Sequence, residues 1–330
     1  MAYLEGVPKY AFGTTFDFSQ DETDSRMKED EFKEYVIKAL RLGCRHFDCS
    51  PIYKTQKLVG EALKEAIDSK IVSRKELFIT SKLPPNMMRT ENIETSIRKS
   101  LDELKLDYLD LFLIHAPFST KYVSDDLFYP TGDDGDLLLD DEEGLLEAAW
   151  MKLVELKQQG FCKYIGLSNI NLEQLLRLNK IFQVDVVQNE YHMYNQDREL
   201  FDQCEEIDVH YEAYAAFGSP EKCKQDGKPC FINDKLVNRI SKECNLTIAQ
   251  VNIQWIHHQP LSYVIKCDDI NQLKENLDAV NSQTIPINDM IELDSLNRNV
   301  RVYCFDEHKG ITKHREYPFK DELQNNGSSS

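Results

Sequence analysis

Short runs of apolar and β-branched residues alternate along the chain with longer segments in which apolar residues recur at helical spacing. A short apolar run is typical of a buried strand, and a helical period indicates an amphipathic helix. The pattern predicts eight strands, each followed by a helical segment. The predicted strands cover residues 11–15, 46–50, 77–83, 109–115, 164–169, 184–191, 210–217 and 261–267.

Two of the intervening segments show the helical pattern clearly. Between Ile93 and Leu104 apolar residues recur at helical spacing, and we expect Thr90 to be the N-cap of this helix. A second apolar stripe runs from Leu145 to Leu156, and Gly160 is expected to end that helix.

Eight strand–helix units in one chain predict an α/β fold, a (β/α)8 TIM barrel. A doubly wound sheet is the alternative, but the sequence lacks the glycine-rich first turn, G-x-G-x-x-G, that such a sheet would normally carry. The chain has 330 residues, 41% of them hydrophobic, which is enough for one large core. We expect a single barrel domain over residues 1–330, with its core within about 7–319 and a disordered tail at 320–330.

The segment 117–143, after the fourth predicted strand, is long for a loop and rich in aspartate. Its aspartates do not match an EF-hand calcium loop, because no glycine stands at the sixth position. We therefore predict a solvated acidic loop and no metal site. The sequence assigns no role to its acidic part, 125–143.

The charge balance narrows the class of partner. Lys and Arg number 39 against 57 Asp and Glu, a net charge of −18 that opposes binding to nucleic acid or to anionic lipid. No stretch reaches the roughly 18 apolar residues of a membrane span, and the first residues show no secretory signal. The nine cysteines form no CxxC pair, which fits reduced thiols. We expect a cytoplasmic protein whose partner is a small molecule.

Four polar residues stand at or just after the ends of consecutive predicted strands. Asp48 and Tyr53 follow the second strand, Lys82 lies at the end of the third, and His115 at the end of the fourth. Each alone has an ordinary structural explanation, such as a helix cap, packing or a solvated surface. Functional groups of a barrel collect at the carboxyl ends of its strands, so we expect these four to lie together.

The four groups suit one kind of chemistry. A tyrosine is a weak acid with a pKa of about 10, and a nearby ammonium lowers that pKa. A carboxylate beside the lysine would hold its charge in place, and a histidine would orient a carbonyl oxygen. Such a set donates a proton to an oxygen that gains negative charge, as in carbonyl reduction. None of these groups can supply a hydride, so a nicotinamide cofactor is expected.

Several motifs in order resemble those of the aldo-keto reductase family. "LGCRHFDCSPIY" and "LDYLDLFLIHAP" resemble the two family signatures, and "KYIGLSN", "VVQNEYHMYNQ" and "AYAAFGSP" follow at the family's spacing. The resemblance covers about residues 7–319. It implies a TIM barrel with an N-terminal hairpin, a C-terminal loop over the active site, and a monomeric state. Near the end, "HREYPF" resembles the tail of an arthropod member.

The resemblance implies a catalytic tetrad. Tyr53 would be the general acid, Lys82 would lower its pKa, Asp48 would hold Lys82, and His115 would orient the carbonyl. It also implies contacts to the nicotinamide, the pyrophosphate and the adenine of the cofactor. These implied cofactor contacts are Thr14, Thr15, Asp48, Ser168, Asn169, Gln188, Tyr214, Phe217, Ser219, Lys266, Cys267, Asp268, Gln272, Glu275 and Asn276.

The substrate side departs from the family pattern. Two positions that usually carry tryptophan are Thr15 and Ala116, which implies a wider or reshaped pocket. Sugars, lipid aldehydes, retinoids and steroid or ecdysteroid ketones all stay open as substrates. The implied lining residues are Tyr53, His115, Ala116, Phe118, Tyr303 and Phe305.

The last predicted strand departs most. In the family a Lys, a Ser and an Arg hold the 2′-phosphate of NADPH. Lys266 is retained here, while Cys267 replaces the serine and Gln272 the arginine. Losing the arginine contact would weaken phosphate binding about tenfold to a hundredfold. If their side chains point into the pocket, Asp268 and Asp269 would repel a phosphate or accept from a free ribose hydroxyl. The alternative is that Asp268 presents only its backbone and Asp269 faces solvent. NADPH is the family default, and NADH or use of both also fits.

We therefore expect NAD(P)H-dependent reduction of an aldehyde or ketone to an alcohol, with the proton from Tyr53. The alternative is a non-catalytic descendant of the family that binds the cofactor or is structural. The altered phosphate site motivates this alternative, and the retained tetrad opposes it.

Overall fold

Eight strands close into a barrel in chain order, and neighbouring strands run parallel. The structure is a computed structural model, and it describes residues 4, 6–16, 18, 27–282 and 284–322. All eight predicted strands are confirmed. They are β1 Tyr10–Gly13, β2 His46–Asp48, β3 Phe78–Leu83, β4 Leu109–Ile114, β5 Cys162–Ser168, β6 Val186–Glu190, β7 His210–Tyr214 and β8 Ser262–Ile265.

Helices follow the strands as the apolar pattern predicts. Within the described residues, α1 to α11 are Glu29–Arg41, Gln56–Asp68, Thr90–Leu104, Leu145–Gln158, Leu172–Asn179, Arg198–Glu206, Pro220–Asp226, Lys235–Cys244, Ile248–His258, Ile270–Asn281 and Ile287–Asp294. A short 3-10 turn, Pro51–Tyr53, lies between β2 and α2. Residues 4 and 6–9, the described residues before β1, hold no strand, so the implied N-terminal hairpin is not found in them.

Two local predictions concern helix ends. Thr90 is the first residue of α3 rather than its N-cap, so that prediction is wrong. The N-cap is Arg89, which has the extended backbone usual at that position, and its guanidinium bonds to Asp140 and Glu142. Gly160 does follow the end of α4, with a positive φ of 84°.

The chain divides into two compact units. The first comprises Met1–Asp48, Glu61–Phe78 and Asn189–Val302. The second comprises Cys49–Gly60, Ile79–Gln188 and Tyr303–Ser330. The single domain over 1–330 stays a prediction, and the predicted tail lies outside the described residues from 323 onward.

In the second unit, β3, β4, β5 and β6 pair in order. Gly166 of β5 must be a glycine, since a Cβ there would lie 2.1 Å from the carbonyl oxygen of Val186. This close approach lets β5 and β6 run side by side, and the register places Ser168 opposite Gln188. Two of the residues implied to hold the nicotinamide are therefore brought together by the sheet itself.

In the first unit, β1 pairs with β2 and β8, and β7 pairs with β8. A buried polar group occupies the start of β7 and β8. His210 Nε2 lies 2.7 Å from Ser262 Oγ, and that hydroxyl donates to Glu212 at 3.0 Å. Burial lowers the pKa of His210 to about 4, so its imidazole is neutral in the folded protein at neutral pH.

The neutral state of His210 predicts acid-dependent stability. The unfolded chain takes up a proton at this residue below a pH of about 6.5, whereas the folded chain does so only near 4. The free energy of unfolding should therefore fall by up to about 3 kcal/mol as pH drops through that window. Urea unfolding at about pH 7 and about pH 4.5 measures the loss.

A His210→Asn variant should show a smaller loss of stability between the two pH values. The exposed His258 provides a matched control, and His258→Asn should keep the full loss. An equal loss in wild type and His210→Asn would contradict the assignment.

Candidate active site

Tyr53, Lys82 and His115 lie together in the second unit. Tyr53 ends the 3-10 turn after β2, Lys82 lies in β3, and His115 follows β4 directly. The ammonium of Lys82 donates to the phenol oxygen of Tyr53 at 3.1 Å. The rings of Tyr53 and His115 are perpendicular, with their centroids 5.8 Å apart. The site therefore holds a cation, a phenol and an imidazole within reach of one small molecule.

The ammonium of Lys82 is buried, with no exposed surface on the residue. Besides the phenol oxygen, it donates to the backbone carbonyl of Cys49 at 3.3 Å. Its nitrogen lies 4.9 Å from the centre of the Tyr53 ring. A buried cation needs such acceptors, because water is not there to solvate it.

His115 is partly exposed, but the protein packs densely around its ring. Burial, followed by the nearby Lys82 ammonium, holds the pKa of His115 well below its usual value. Its imidazole is therefore neutral at neutral pH. The ring nitrogen Nδ1 lies 3.0 Å from the hydroxyl of Ser50. Ser50 was not among the site residues predicted from the sequence, although it stands two positions after Asp48.

Asp48 belongs to the first unit, where it ends β2 and is buried. Its backbone carbonyl accepts hydrogen bonds from the hydroxyl of Thr14 at 2.8 Å and from the amide of Thr14 at 3.1 Å. Thr14 is buried and Thr15 is exposed.

A second polar group in the same unit as Tyr53 follows β5 and β6. The hydroxyl of Ser168 donates to the carbonyl of Gln188 at 2.7 Å. The side-chain amide of Asn169 donates to the carbonyl of His115 at 2.8 Å and to Ser168 Oγ at 3.1 Å. Asn169 adopts a positive φ of 57°, a conformation that asparagine tolerates better than most residues. These bonds tie the implied nicotinamide contacts to the backbone of His115.

Among the implied pocket residues, Phe118 has no exposed surface and packs edge-on against Phe305, with ring centroids 5.0 Å apart. Ala116 is buried in the same apolar cluster, while Phe305 and Tyr303 keep part of their surface exposed. Phe118 and Ala116 are therefore covered by protein, whereas Phe305 and Tyr303 remain partly accessible.

Tyr129 is an aromatic residue near Tyr53 that was not predicted from the sequence. Its ring stacks on His308 at 4.0 Å. Burial, then Glu307 and Tyr53, raise the pKa of Tyr129, so its phenol stays protonated. Its position in the long loop after the fourth strand could have indicated a role at the site, since long loops often carry functional residues.

The acidic loop is tied to the C-terminal segment. Asp136 lies 2.6 Å from the ammonium of Lys309 and 2.7 Å from that of Lys313. The amide of Leu137 donates to the carbonyl of Lys309 at 2.9 Å. Asp133 is exposed, as predicted for a solvated loop, but that prediction is wrong for Asp136, because two lysines cover it.

In the first unit, Tyr214 ends β7 and is partly exposed. The strand stops here, three residues earlier than predicted, because Ala215 has a positive φ of 52°. The following loop closes tightly, with the amide of Gly218 donating to the carbonyl of Ala215 at 2.7 Å. Phe217 and Ser219 are partly exposed on this loop.

The turn between β8 and α10 holds both signs of charge. The ammonium of Lys266 lies 2.8 Å from the carboxylate of Asp268 and 5.1 Å from the centre of the Phe16 ring. Asp269 caps α10 by accepting from the amides of Asn271 and Gln272. The cation at this turn is therefore already paired with a carboxylate.

The remaining residues implied at this turn also bond locally. The side chain of Gln272 accepts from the amide of Asp268 at 3.0 Å. Asn276 is buried and donates to Cys267 Sγ at 3.2 Å, and Glu275 accepts from Thr247 at 2.7 Å. Burial raises the pKa of Cys267 to about 11, so its thiol is uncharged.

Membrane-spanning helices or a metal site would indicate other classes of function. None of the helices in the described part of the chain is long and apolar enough to cross a membrane. Over the same residues, no group of three or more His, Cys, Asp or Glu side chains could hold a metal ion.

The fold is a closed barrel of eight strands, and its candidate site has a phenol that accepts from a buried ammonium beside a neutral imidazole. This combination is typical of the class of carbonyl oxidoreductases. The model of the aldo/keto reductase family matches residues 11–298. Prostaglandin F synthase 1 of Bos taurus is 32% identical over 322 residues, which cover 96% of this chain and 95% of that protein. The 3-alpha-hydroxysteroid dehydrogenase of Rattus norvegicus is 31% identical over 326 residues, with the same coverage.

Solved structures agree. The aldose reductase of Schistosoma japonicum superposes with a TM-score of 0.81 at 29% identity, over 96% of each chain. The chain belongs to the aldo/keto reductase family and is an oxidoreductase. Reduction of small carbonyl compounds with NAD(P)H is the general reaction of this family.

The two ion pairs of Asp136 predict how strongly the acidic loop is protected from local opening. Asp136→Asn removes both ion pairs, to Lys309 and to Lys313, which lie near the surface and are screened by solvent. Amide hydrogen exchange should become faster in residues 131–139 and 305–313, with little change elsewhere. Asp133→Asn, an exposed neighbour with the same change of charge, should leave exchange unchanged. Unaltered exchange in Asp136→Asn would show that the ion pairs do not hold the loop.

Proposed function

We propose that Tyr53 gives a proton to the oxygen of an aldehyde or ketone, while the nicotinamide of the bound cofactor supplies the hydride. The observation that carries this proposal is the 3.1 Å hydrogen bond from the Lys82 ammonium to the phenol oxygen. A cation that donates to this oxygen stabilises the negative charge left when the proton departs. Because Lys82 has no exposed surface, water screens this effect little.

His115 fits the role of an uncharged hydrogen-bond donor. Its depressed pKa leaves one ring nitrogen with a proton and the other without. A neutral imidazole can orient a carbonyl oxygen, but it is far too weak an acid to protonate it. The proton therefore comes from Tyr53. Asp48, at the end of β2, keeps the role that the sequence implies.

Ser168, Asn169 and Gln188 suit the carboxamide of the nicotinamide. A carboxamide offers both donors and an acceptor, and a hydroxyl with two side-chain amides matches both. The bond from Asn169 to the carbonyl of His115 fixes this group relative to the imidazole. The hydride donor would then be held in a constant position beside the proton donor.

Tyr53→Phe tests the proton donor. The substitution removes the phenol oxygen and should lower kcat for carbonyl-dependent oxidation of NADPH by about a hundredfold to ten-thousandfold. NADPH binding, followed by fluorescence titration, should stay within about twofold, since this oxygen is not an implied cofactor contact. The assay should span sugars, lipid aldehydes, retinoids and steroid ketones.

Tyr122→Phe is the matched control, because Tyr122 is an exposed loop tyrosine and its loss should not change kcat. Unchanged turnover in Tyr53→Phe would contradict the proposal that Tyr53 is the proton donor. Absence of turnover in wild type, with neither NADPH nor NADH bound, would favour the non-catalytic alternative instead.

We infer that the chain uses NADH as well as NADPH. A 2′-phosphate that reaches Lys266 must compete with Asp268, which lies 2.8 Å from that ammonium and also repels the phosphate. A free 2′-hydroxyl, by contrast, could donate to the same carboxylate. Both side chains are substantially exposed, so the pair is worth about 0.2–1 kcal/mol. This supports weak discrimination rather than exclusion of NADPH.

Asp268→Asn tests this inference. Removing the carboxylate frees Lys266 for the phosphate, so the Kd for NADPH should fall by up to about fivefold. The Kd for NADH should stay constant or rise. Calorimetry at fixed ionic strength measures both, because charge pairing depends on salt. Asp278→Asn, an exposed position on α10, the helix that follows this turn, controls for the change in net charge. Equal changes for the two cofactors would contradict the inference.

A further inference from the structure

Ser50 connects the two groups that the proposed reaction places at the carbonyl oxygen. It is completely buried and lies directly before the turn Pro51–Tyr53. Its hydroxyl accepts from the amide of Ile52 at 3.3 Å, which caps that turn. The same hydroxyl lies 3.0 Å from Nδ1 of His115. One side chain therefore touches both the turn that carries Tyr53 and the imidazole beside it.

The single proton of the Ser50 hydroxyl limits which group donates in the bond to His115. A serine hydroxyl has one proton and two lone pairs. The amide of Ile52 uses one lone pair, and Nδ1 of His115 is the other hydrogen-bond partner of the hydroxyl within the described residues. If Nδ1 carried the ring proton, the hydroxyl would accept twice and its own proton would have no acceptor. A buried donor without an acceptor costs about 1–3 kcal/mol.

The hydroxyl therefore donates to Nδ1, and Nδ1 carries no proton. The imidazole is neutral, because burial and the Lys82 ammonium hold the pKa of His115 well below its usual value. A neutral imidazole has one N–H, so with Nδ1 unprotonated that N–H is at Nε2.

We propose that Ser50 is a positioning residue that holds His115 in the Nε2–H tautomer, so that the imidazole donates a hydrogen bond to the substrate carbonyl oxygen. This rests on the proposed function for the reaction itself, but the tautomer is a property of the resting protein. In the other tautomer Nε2 would present a lone pair to the lone pairs of the oxygen, which repels the substrate instead of orienting it.

A hydroxyl suits this task better than a carboxylate would. A carboxylate beside Nδ1 would favour the charged imidazolium and raise the pKa of the histidine. The serine selects the tautomer without adding a charge, so His115 stays an uncharged donor. Tyr53 then stays the proton donor.

Ser50→Ala removes the bond and tests the proposal by two readouts. Nitrogen NMR of the histidine-labelled full chain distinguishes protonated from unprotonated ring nitrogens, with His115→Asn used to assign the signals. Wild type should show an unprotonated Nδ1 and a protonated Nε2, and Ser50→Ala should show a mixture. The variant's kcat should fall about tenfold to a hundredfold, since it loses part of one donor to the carbonyl oxygen. The Kd for NADPH should stay within about twofold.

Two further variants separate positioning from a general effect on folding. Ser50→Thr keeps the hydroxyl and should restore both the tautomer and most of kcat. Ser100→Ala removes another fully buried hydroxyl, on α3, and should change neither. If Ser50→Ala and Ser50→Thr lower kcat equally while both keep a protonated Nε2, the serine acts only through packing and the proposal is overturned.

A protonated Nδ1 in wild type would overturn the proposal directly, as would an unchanged kcat in a Ser50→Ala variant with mixed tautomers. Failure of the proposed function looks different. Wild type would then show no carbonyl-dependent turnover, while the NMR signals would still report whether Ser50 selects the tautomer.

Discussion

The candidate site depends on the need to place acceptors around a buried ammonium. Lys82 has no exposed surface, and removing a charge from water costs several kcal/mol unless polar groups replace the solvent. The amide of Cys49 donates to the carbonyl of Thr80 at 2.9 Å, so the chain leaving β2 runs along β3. The carbonyl of Cys49 and the phenol of Tyr53 thereby come within reach of the ammonium. The position of the phenol thus follows from the solvation of one cation.

The same cation shapes its neighbour. Burial and the Lys82 charge keep the pKa of His115 low, so the imidazole is neutral and the positive charge beside the phenol is that of the Lys82 ammonium. In the proposed reaction, the positive charge, the transferred proton and the uncharged hydrogen-bond donor belong to three different residues. Such a division lets each group be tuned separately, and the hydroxyl of Ser50 fits it because it adds no charge.

Some of the many carboxylates outside the candidate site form ion pairs with nearby lysines. The net charge is −18, yet not every carboxylate is simply solvated, because some form ion pairs with lysine side chains. Asp136 joins the acidic loop to Lys309 and Lys313 of the C-terminal segment. Asp268 pairs with Lys266 at the turn after β8. Both pairs lie near the surface, so each is weak and sensitive to salt.

Apolar periodicity and residue type determined much of this protein from its sequence alone. Parallel strands are buried on both faces, so each leaves a continuous apolar run, and the polar residue that follows marks the strand end where Tyr53, Lys82 and His115 stand. Only the tertiary structure decided which groups touch. Ser50 and His115 are 65 positions apart, and no local pattern records a hydrogen bond across that separation. The stacking of Tyr129 on His308 and the hydrogen bonds of Arg89 to Asp140 also join residues that are distant in sequence. Such contacts arise when the strands take their register and the loops pack, because hydrogen bonds and ring contacts depend on position in space rather than on neighbours along the chain.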